Sequence, residues 1–322
     1  MIDPTRRWSE YGEKPDYAGL LTFGGAPHTE SAAELAGFDA AIIGAPMDDL
    51  VSDRPGTRFA PRAIRAASCP PGANLETKMN AFEGLGIVDF GDAPVVPASP
   101  AKSHEAIEKT VSEALGAGCV PVVLGGDHSV SEPGIRAVAK KHGPLGLVHF
   151  DTHTDTAETV FGAELSHGTI MRRLVEQGHV DSSRYVQIGL RGYWPGKEEF
   201  RWQRERGIES IFMHEVRDGG VENAVRRAVE KVGAGPVFLS VDIDVLDPAF
   251  APGTGTPEPG GMTTAELLRA VREVGEGLDL VGVDIVEVIP SLVGSADITA
   301  LAAERIVREV LGGLAARWKP VG

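Results

Sequence analysis

The sequence predicts an α/β fold in which helices cover both faces of a parallel β-sheet. Apolar runs typical of buried strands alternate with stretches of helical length and period along the 322 residues. Most of these runs are apolar at every position, as in strands that are buried on both faces. No linker or shift in composition divides the chain, so we predict a single domain over residues 1–322, with residues 1–36 as an N-terminal arm.

Local signals mark the predicted elements in chain order. Proline is well tolerated in a first helical turn, so a helix is expected to open at Pro61. Ser103 is a potential N-cap for a helix that ends at Gly116, and Gly143 ends the helix that begins near Val130. The predicted strands span residues 38–44, 86–90, 120–124, 145–150, 185–190, 208–214, 237–245 and 280–288, and the later helices span residues 167–177, 198–206, 221–232, 263–274 and 298–314.

Charge and cysteine content exclude several classes of protein. The formal net charge is −15, whereas a protein that binds nucleic acid or anionic membranes is expected to carry a basic face. Cys69 and Cys119 form neither a disulfide framework nor a CxxC metal motif. The N-terminus has no apolar signal core, and no apolar run is long enough to span a bilayer. We therefore predict a cytoplasmic protein without nucleic-acid or membrane partners.

Three bursts of polar residues come at the ends of apolar strands. They are Gly-Gly-Asp-His-Ser at residues 125–129, Asp-Thr-His-Thr-Asp at residues 151–155 and Asp-Ile-Asp at residues 242–244. Ligands of an open parallel sheet bind beyond the carboxyl ends of its strands. The functional site is therefore predicted where these three strand ends meet.

The bursts supply two imidazoles and four carboxylates as candidate metal ligands. This donor set suits Mn²⁺, Ni²⁺, Co²⁺ or Zn²⁺ and lacks the thiolates of a structural zinc site. Alternate residues of a strand share a face, so the residues of each burst are expected to line one wall. Four carboxylates tolerate one another only when cations neutralise them, and two metal ions bridged by shared aspartates would do so. The candidates are His128, Asp151, His153, Asp155, Asp242 and Asp244.

A simpler interpretation is that each aspartate caps the helix that follows it, which is common in α/β proteins. That interpretation suits any one aspartate alone but not six histidine and aspartate residues that occur together at strand ends with this spacing. His149 lies two residues before Asp151 within an apolar strand, and we interpret it as a core histidine or a supporting residue behind the ligands.

These motifs resemble those of the ureohydrolase family, which includes arginase and agmatinase. The resemblance is carried by residues 125–129, 151–155 and the long segment 240–257, and it extends from about residue 38 to the C-terminal helix. It implies a three-layer αβα sandwich with an eight-stranded parallel sheet and assembly as a homotrimer or homohexamer. It also implies two Mn²⁺ ions, or Ni²⁺ or Co²⁺ in their place, and hydrolysis of a guanidinium group to urea and an amine.

The resemblance implies roles for the individual ligands as well. By this analogy His128 and Asp155 bind one metal ion, His153 and Asp244 bind the other, and both ions share the bridging carboxylates of Asp151 and Asp242.

Three residues are implied to be catalytic. Asp155 would hydrogen-bond the attacking hydroxide and relay a proton to the leaving amine, and His167 would shuttle protons near the mouth of the site. Glu287 would grip the guanidinium. A lone glutamate at the end of an apolar strand needs a cation, and a substrate guanidinium supplies one.

Two positions depart from the family pattern. Thr152 stands where most relatives have alanine, beside two of the ligands. Ala60 stands where the first glycine-rich loop usually has glycine, so a backbone without positive φ is expected there.

The sequence leaves the substrate open among small cationic guanidino compounds. The loop at residues 157–166 lacks the asparagine pattern of arginase, and His167-Gly168-Thr169 is similar to agmatinases and guanidino-acid hydrolases. Agmatine would need carboxylates near its ammonium group, and 4-guanidinobutyrate would need basic or phenolic groups near its carboxylate. The acidic loops favour agmatine, followed by 4-guanidinobutyrate and guanidine. The acidic candidates are Asp48, Asp49, Asp53, Glu158 and Glu164, and the others are Arg54, Arg191 and Tyr193.

Two further hypotheses keep the fold but change the function. One is a non-catalytic subunit that serves as an assembly partner, for which missing ligands would be the expected sign. The other is a metal-dependent deacetylase-like activity, which the paired aspartates and Glu287 disfavour.

Overall fold

The prediction of a helix-covered parallel sheet is confirmed by the computed structural model, which describes residues 12, 14–15, 18–68, 72–194, 196–291 and 297–318. Eight parallel strands form one sheet in the order β2-β1-β3-β8-β7-β4-β5-β6. The strands are β1 (Ala40–Gly44), β2 (Ile87–Asp92), β3 (Val120–Leu124), β4 (Leu145–Phe150), β5 (Val180–Leu190), β6 (Glu209–Phe212), β7 (Pro236–Asp242) and β8 (Asp279–Val286).

Helices form a layer on each side of this sheet. Two separate apolar cores result, because successive side chains of a strand point to opposite faces; Ile42 packs into one core and Ile43 into the other. Side chains from α3–α6 join the second core, and those from the other helices join the first. The helices are α1 (Ala60–Ala67), α2 (Ala81–Gly84), α3 (Pro100–Gly116), α4 (Ser131–His142), α5 (Ile170–Glu176), α6 (Lys197–Glu205), α7 (Met213–Gly219), α8 (Val221–Val232), α9 (Thr264–Gly277) and α10 (Ile298–Trp318).

Several predicted boundaries are wrong, each for a local reason. The predicted strand 208–214 ends at Phe212, because Glu215 accepts a hydrogen bond from the Phe212 amide and opens helix α7. Ser103 is not an N-cap, since α3 begins at Pro100 and the Ser103 hydroxyl bonds the backbone of Val96 instead.

Ala60 has φ of −60°, so the expectation of an ordinary backbone there is confirmed.

The described part of the N-terminal arm packs against the edge strand β2. The amide of Phe23 donates to the Asp89 carboxylate at 2.8 Å, and His28 forms a bridge with the same residue. Phe23 is fully buried, so the arm covers an edge that would otherwise offer unpaired backbone groups. Residues 1–11, 13 and 16–17 of the arm lie outside the described ranges. None of the described helices combines the length and hydrophobicity that crossing a bilayer requires.

The turn after β3 allows the closest backbone approach near the strand ends. A Cβ atom on Gly126 would lie 1.8 Å from the carbonyl oxygen of Met47, and the Gly126 carbonyl accepts a hydrogen bond from the Glu287 amide at 2.9 Å. A glycine is therefore needed there to let three segments meet.

We expect Gly126→Ala to destabilise the protein by about 1–3 kcal/mol or more, because the backbone must move to admit the methyl group. Gly134→Ala in α4 is the matched control, since a Cβ there meets no atom within 4 Å, and its expected effect is a gain of up to about 1 kcal/mol. Urea unfolding measures both changes. Equal stability of the two variants would contradict the close approach.

Candidate metal centre

The candidate site lies at the carboxyl ends of four neighbouring central strands, β3, β8, β7 and β4. His128 follows β3, Glu287 follows β8, Asp242 ends β7 and Asp151 follows β4. All four side chains are buried. The sheet therefore brings together residues that are far apart in sequence at the edge where such folds bind ligands.

Two matching turns pair the aspartates with their neighbours two positions on. Asp151 Oδ1 accepts the His153 amide hydrogen at 2.5 Å, and Asp242 Oδ1 accepts the Asp244 amide hydrogen at 2.9 Å. An aspartate that bonds its own backbone in this way forms a turn. Each turn holds residues i and i+2 toward the same site.

The prediction that strand alternation brings residues i and i+2 of each burst together is wrong, although these residues do meet. Strand alternation does not apply, because β4 ends at Phe150 and β7 ends at Asp242. The following segment, Ile243–Val245, is a single 3₁₀ turn rather than strand. Hydrogen bonds from aspartate side chains to the backbone, and not the pleat of a sheet, therefore position these predicted ligands.

Asp155 reaches the site from an uncommon backbone conformation. Its φ is +51°, in the left-handed region that non-glycine residues rarely occupy. Its carbonyl accepts the Met171 amide hydrogen at 3.0 Å, and its side chain is almost fully buried. Glu287 has φ of +61°, so two of the three predicted catalytic residues carry backbone strain of the kind that clusters at functional sites.

Three carboxylates surround one imidazole nitrogen. His128 Nδ1 lies 2.9 Å from Asp155 Oδ2, 3.2 Å from Asp242 Oδ2 and 3.3 Å from Asp151 Oδ2. Within the described residues this nitrogen makes no hydrogen bond. The four predicted ligands of the first metal position are therefore brought together around a single point.

Hydrogen bonds on the far side of His128 determine what this nitrogen presents. Ser240 Oγ donates a hydrogen bond to Asp284 Oδ1 at 2.7 Å. Ser240 then accepts from His128 Nε2 at 3.0 Å. In the neutral imidazole Nδ1 therefore carries a lone pair directed at three carboxylates, an arrangement that a bound cation stabilises.

A proton can occupy the same position as the metal. Burial opposes a charge on His128, but Asp151, Asp155 and Asp242 raise its pKa well above the ordinary value. A metal ion therefore displaces a proton when it binds. The donor set fits a hard or borderline divalent ion, since oxygen and imidazole are the only ligands on offer.

The second group of predicted ligands shares Asp151 with the first. His153 Nδ1 lies 3.0 Å from Asp244 Oδ2 and 3.6 Å from Asp151 Oδ1. The three candidate ligand atoms of Asp151, His153 and Asp244 lie within 4.8 Å of one another. The six predicted ligands thus fall into two adjoining groups, with one oxygen of Asp151 in each.

Thr152 contributes to this region through its backbone. Its amide donates to Asp244 Oδ1 at 3.3 Å. Its side-chain hydroxyl is buried and has no hydrogen-bond partner within the described ranges. Nothing in the structure explains why threonine rather than alanine stands here.

His167 and Glu287 form an ion pair at the edge of the cluster. His167 Nδ1 lies 2.8 Å from Glu287 Oε1, which also accepts the His128 amide hydrogen at 2.8 Å. Burial opposes a charge on His167, but Glu287 outweighs it and raises the pKa of His167 to about 9. The second oxygen of Glu287 is buried and lacks a partner among the described residues.

Ser52 is a neighbour of His167 that the sequence did not identify. Its hydroxyl lies 2.7 Å from His167 Nε2, and its amide donates to the same nitrogen at 3.1 Å. A serine in a polar loop carries no pattern that marks it in advance. The amide donation leaves Nε2 as an acceptor in the neutral ring, so Ser52 and Glu287 determine the tautomer of His167.

A cavity of about 400 Å³ opens over the cluster. Its ionisable lining residues within the described ranges are His153, Asp155, His167 and Asp242. The rest of the wall is neutral, and Trp194 contacts the cluster edge-on with its ring centroid 6.2 Å from that of His153. The neutral lining residues are Ser52, Thr159, Val160, Phe161, Gly168, Trp194 and Thr256.

The loop charges predicted to contact the substrate tail do not line this cavity. Arg58 binds both Asp48 and Asp49. Arg172 lies 3.7 Å from Glu158, and Glu164 is exposed. These acidic loop residues, considered as partners for a substrate ammonium group, are therefore paired with arginines or face solvent.

The basic and phenolic candidates are no better placed. The Arg191 guanidinium donates to backbone carbonyls, including those of Asp244, Leu246 and Glu258. It shapes the loop after β7 and is not available for a substrate carboxylate. Arg54 pairs with Asp53 at 3.8 Å at the surface, and the Tyr193 side chain is fully exposed.

We expect Glu287→Gln to lower the pKa of His167 from about 9 toward its ordinary value, because only the more weakly acting Asp155 and Asp127 then oppose burial. The stabilisation from this pair is fully present below about pH 6.5 and is lost as the pH rises through about 9. NMR titration of histidine-labelled protein measures the shift. Glu158→Gln removes an equal charge outside the cavity and is the control; an unchanged pKa in Glu287→Gln would contradict the pairing.

Comparison with known proteins identifies the family. Residues 38–312 match the Arginase family. Guanidinobutyrase from Pseudomonas aeruginosa is 42% identical over 300 residues, which cover 93% of each chain. The mitochondrial agmatinase of Gallus gallus is 42% identical over 278 residues, which cover 85% of this chain and 81% of the relative.

A solved structure agrees with the fold and the family. The proclavaminate amidinohydrolase of Streptomyces clavuligerus superposes with a TM-score of 0.88 at 38% identity, covering 94% of this chain and 100% of that one. The chain belongs to the arginase family and is an amidinohydrolase with a binuclear metal site that hydrolyses guanidino compounds.

Proposed function

We propose that the chain hydrolyses agmatine to putrescine and urea with two Mn²⁺ ions. The observation that carries the choice of substrate is the neutral outer wall of the cavity, which within the described residues contains no arginine or lysine. A distal carboxylate buried there would have no arginine or lysine as a partner, and His167, which also lines the cavity, is already paired with Glu287. A distal ammonium group can instead lie against the indole of Trp194, and the net charge of −15 attracts cations.

Two Mn²⁺ ions suit a site built from imidazoles and carboxylates. We assign His128 and Asp155 to one ion and His153 and Asp244 to the other, with Asp151 and Asp242 shared. The distances around His128 and His153 support this division. When bound, the metal pair lowers the pKa of a water molecule so that it attacks at neutral pH.

The remaining steps fall to three side chains. In the overall reaction a carbon–oxygen bond forms, the carbon–nitrogen bond to the alkyl chain breaks, and the leaving nitrogen gains two protons, which balance the two that the attacking water loses, one through Asp155 and one through solvent. Asp155 accepts a proton from the attacking water and passes it to that nitrogen. The Glu287 oxygen that has no partner among the described residues accepts a hydrogen bond from the guanidinium, and His167, on the cavity wall, exchanges protons with solvent.

4-Guanidinobutyrate is the second candidate substrate, because guanidinobutyrase and agmatinase are each 42% identical to this chain. Its carboxylate would depend on the hydroxyls of Ser52, Thr159 and Thr256 on the cavity wall. Hydroxyl groups bind a carboxylate more weakly than a cation does. The structure therefore favours agmatine over the guanidino acid.

Assembly, domain organisation and compartment stay predictions. We propose a homotrimer or homohexamer of a single-domain chain in the cytoplasm. Exposed apolar side chains on α10, including Ile298 and Leu301, support an interface.

Urea release by the Mn²⁺-loaded protein tests the substrate. We expect agmatine to give a higher kcat/KM than 4-guanidinobutyrate, 3-guanidinopropionate, arginine and guanidine. Trp194→Leu should weaken agmatine use by about fivefold or more, since an indole face is worth roughly 1 kcal/mol to a cation. Tyr193→Leu replaces a fully exposed aromatic residue and is the control. Faster turnover of a guanidino acid would overturn the choice of substrate.

Removal of the metal should lower the thermal stability of the protein, because four buried aspartates then lack their cations. At Mn²⁺ concentrations about 1,000 times the Kd of a site, we expect each bound ion to stabilise the folded state by about 4 kcal/mol. Calorimetric melting with EDTA and with Mn²⁺ measures this. Asp242→Asn should melt no lower than the wild type in EDTA, because it removes one repelling charge, yet should gain less from Mn²⁺. An equal gain in both proteins would contradict a role for Asp242 as a ligand.

A further inference from the structure

A line of buried polar side chains lies behind Asp151, away from the cavity. It consists of His149 on β4 with Tyr185 and Gln187 on the adjacent β5, and all three are fully buried. None lines the cavity, and none has a part in the reaction proposed above. Buried hydrogen-bonding groups of this kind rigidify a site when their donors and acceptors match.

Gln187 determines the direction in which hydrogen bonds are donated along this line. Its Nε2 lies 2.6 Å from the Thr154 carbonyl oxygen and 2.8 Å from the Tyr185 hydroxyl oxygen. The opposite amide orientation would set two oxygens against each other at Thr154, so nitrogen must occupy this position. One amide hydrogen goes to Thr154, and the other points toward the hydroxyl oxygen of Tyr185 and His149 Nδ1, which lies 3.2 Å from the same nitrogen.

Asp151 sets the direction at the other end. His149 Nε2 lies 2.8 Å from Asp151 Oδ2. An ionised carboxylate can only accept, so Nε2 carries the hydrogen. In the neutral ring His149 Nδ1 is then an acceptor, and the Tyr185 hydroxyl donates to it at 3.0 Å. Gln187, Tyr185 and His149 thus donate in sequence, ending on Asp151.

Asp151 is held by a donor on each oxygen. Oδ1 accepts the His153 amide hydrogen at 2.5 Å, and Oδ2 accepts from His149. The same two oxygens lie 3.6 Å from His153 Nδ1 and 3.3 Å from His128 Nδ1. A rotation of this carboxylate would remove an oxygen from both metal positions together.

We infer that His149 is a positioning residue, held by Tyr185 and Gln187 with its Nε2 hydrogen toward Asp151, and that it orients this carboxylate for both metal ions. The inference depends on the proposed bridging role of Asp151. Hydrogen-bond partners behind metal ligands typically change metal affinity by about 10–100-fold. A competing role also exists, because candidate ligand atoms of His128, His149 and Asp151 lie within 4.8 Å of one another; His149 would then be a ligand itself.

Mn²⁺ titration calorimetry on metal-free full-length variants tests the inference without use of a substrate. His149→Phe removes the donor, and we expect its Mn²⁺ affinity to fall about 10–100-fold. His149→Gln places an amide hydrogen near the position of Nε2 and should recover much of the affinity. If His149 is a ligand, both variants should lose affinity equally, which would overturn the positioning role.

Tyr185→Phe is the second variant, since it removes one hydroxyl and keeps the volume of the side chain. We expect a several-fold loss of Mn²⁺ affinity, with an unchanged KM for agmatine at saturating Mn²⁺. Tyr193→Phe makes the same chemical change at a fully exposed site and should have no effect.

Folded His149→Phe and Tyr185→Phe proteins with wild-type affinity would overturn the inference. A wild-type protein that binds no Mn²⁺ would overturn the inference and the proposed metal, whereas tight Mn²⁺ binding without urea release would overturn only the proposed activity.

Discussion

A buried imidazole nitrogen enclosed by three carboxylates is the constraint on which the site depends. His128 Nδ1 lies within 3.3 Å of oxygens from Asp151, Asp155 and Asp242. In a buried environment this arrangement is unstable unless a cation is present, because neither the carboxylates nor the lone pair can be neutralised by water. The folding of four central strand ends is thereby coupled to binding of a metal ion or a proton.

Local backbone features, rather than regular secondary structure, hold these side chains in place. Aspartate side chains bond the backbone two residues on at Asp151 and Asp242. Asp155 and Glu287 adopt left-handed backbone angles, and Gly126 permits a contact that no side chain would allow. The sheet brings the segments after the central strands together, while these local features orient the predicted ligands within each segment.

Buried hydrogen bonds on the far side of two histidines determine which group each ring presents to the cluster. Asp284 and Ser240 leave His128 with a lone pair toward the site, and Gln187 and Tyr185 leave His149 with a hydrogen toward Asp151. His128 thus presents an acceptor to the cluster, and His149 presents a donor. An imidazole has one donor and one acceptor in its neutral form, so the partner on one side decides what the other side presents.

The sequence by itself determined the sheet, the two layers of helices and the six residues that converge. Continuous apolar strands, each ending in a polar burst, carry that information locally. Only the tertiary structure decided which loop charges face the cavity, since Arg58 neutralises Asp48 and Asp49, and carbonyl oxygens occupy Arg191. It also assigned places to Ser52, Tyr185 and Gln187. Their roles depend on partners that are distant in the chain, and a hydrogen bond across strands leaves no periodic trace in the sequence.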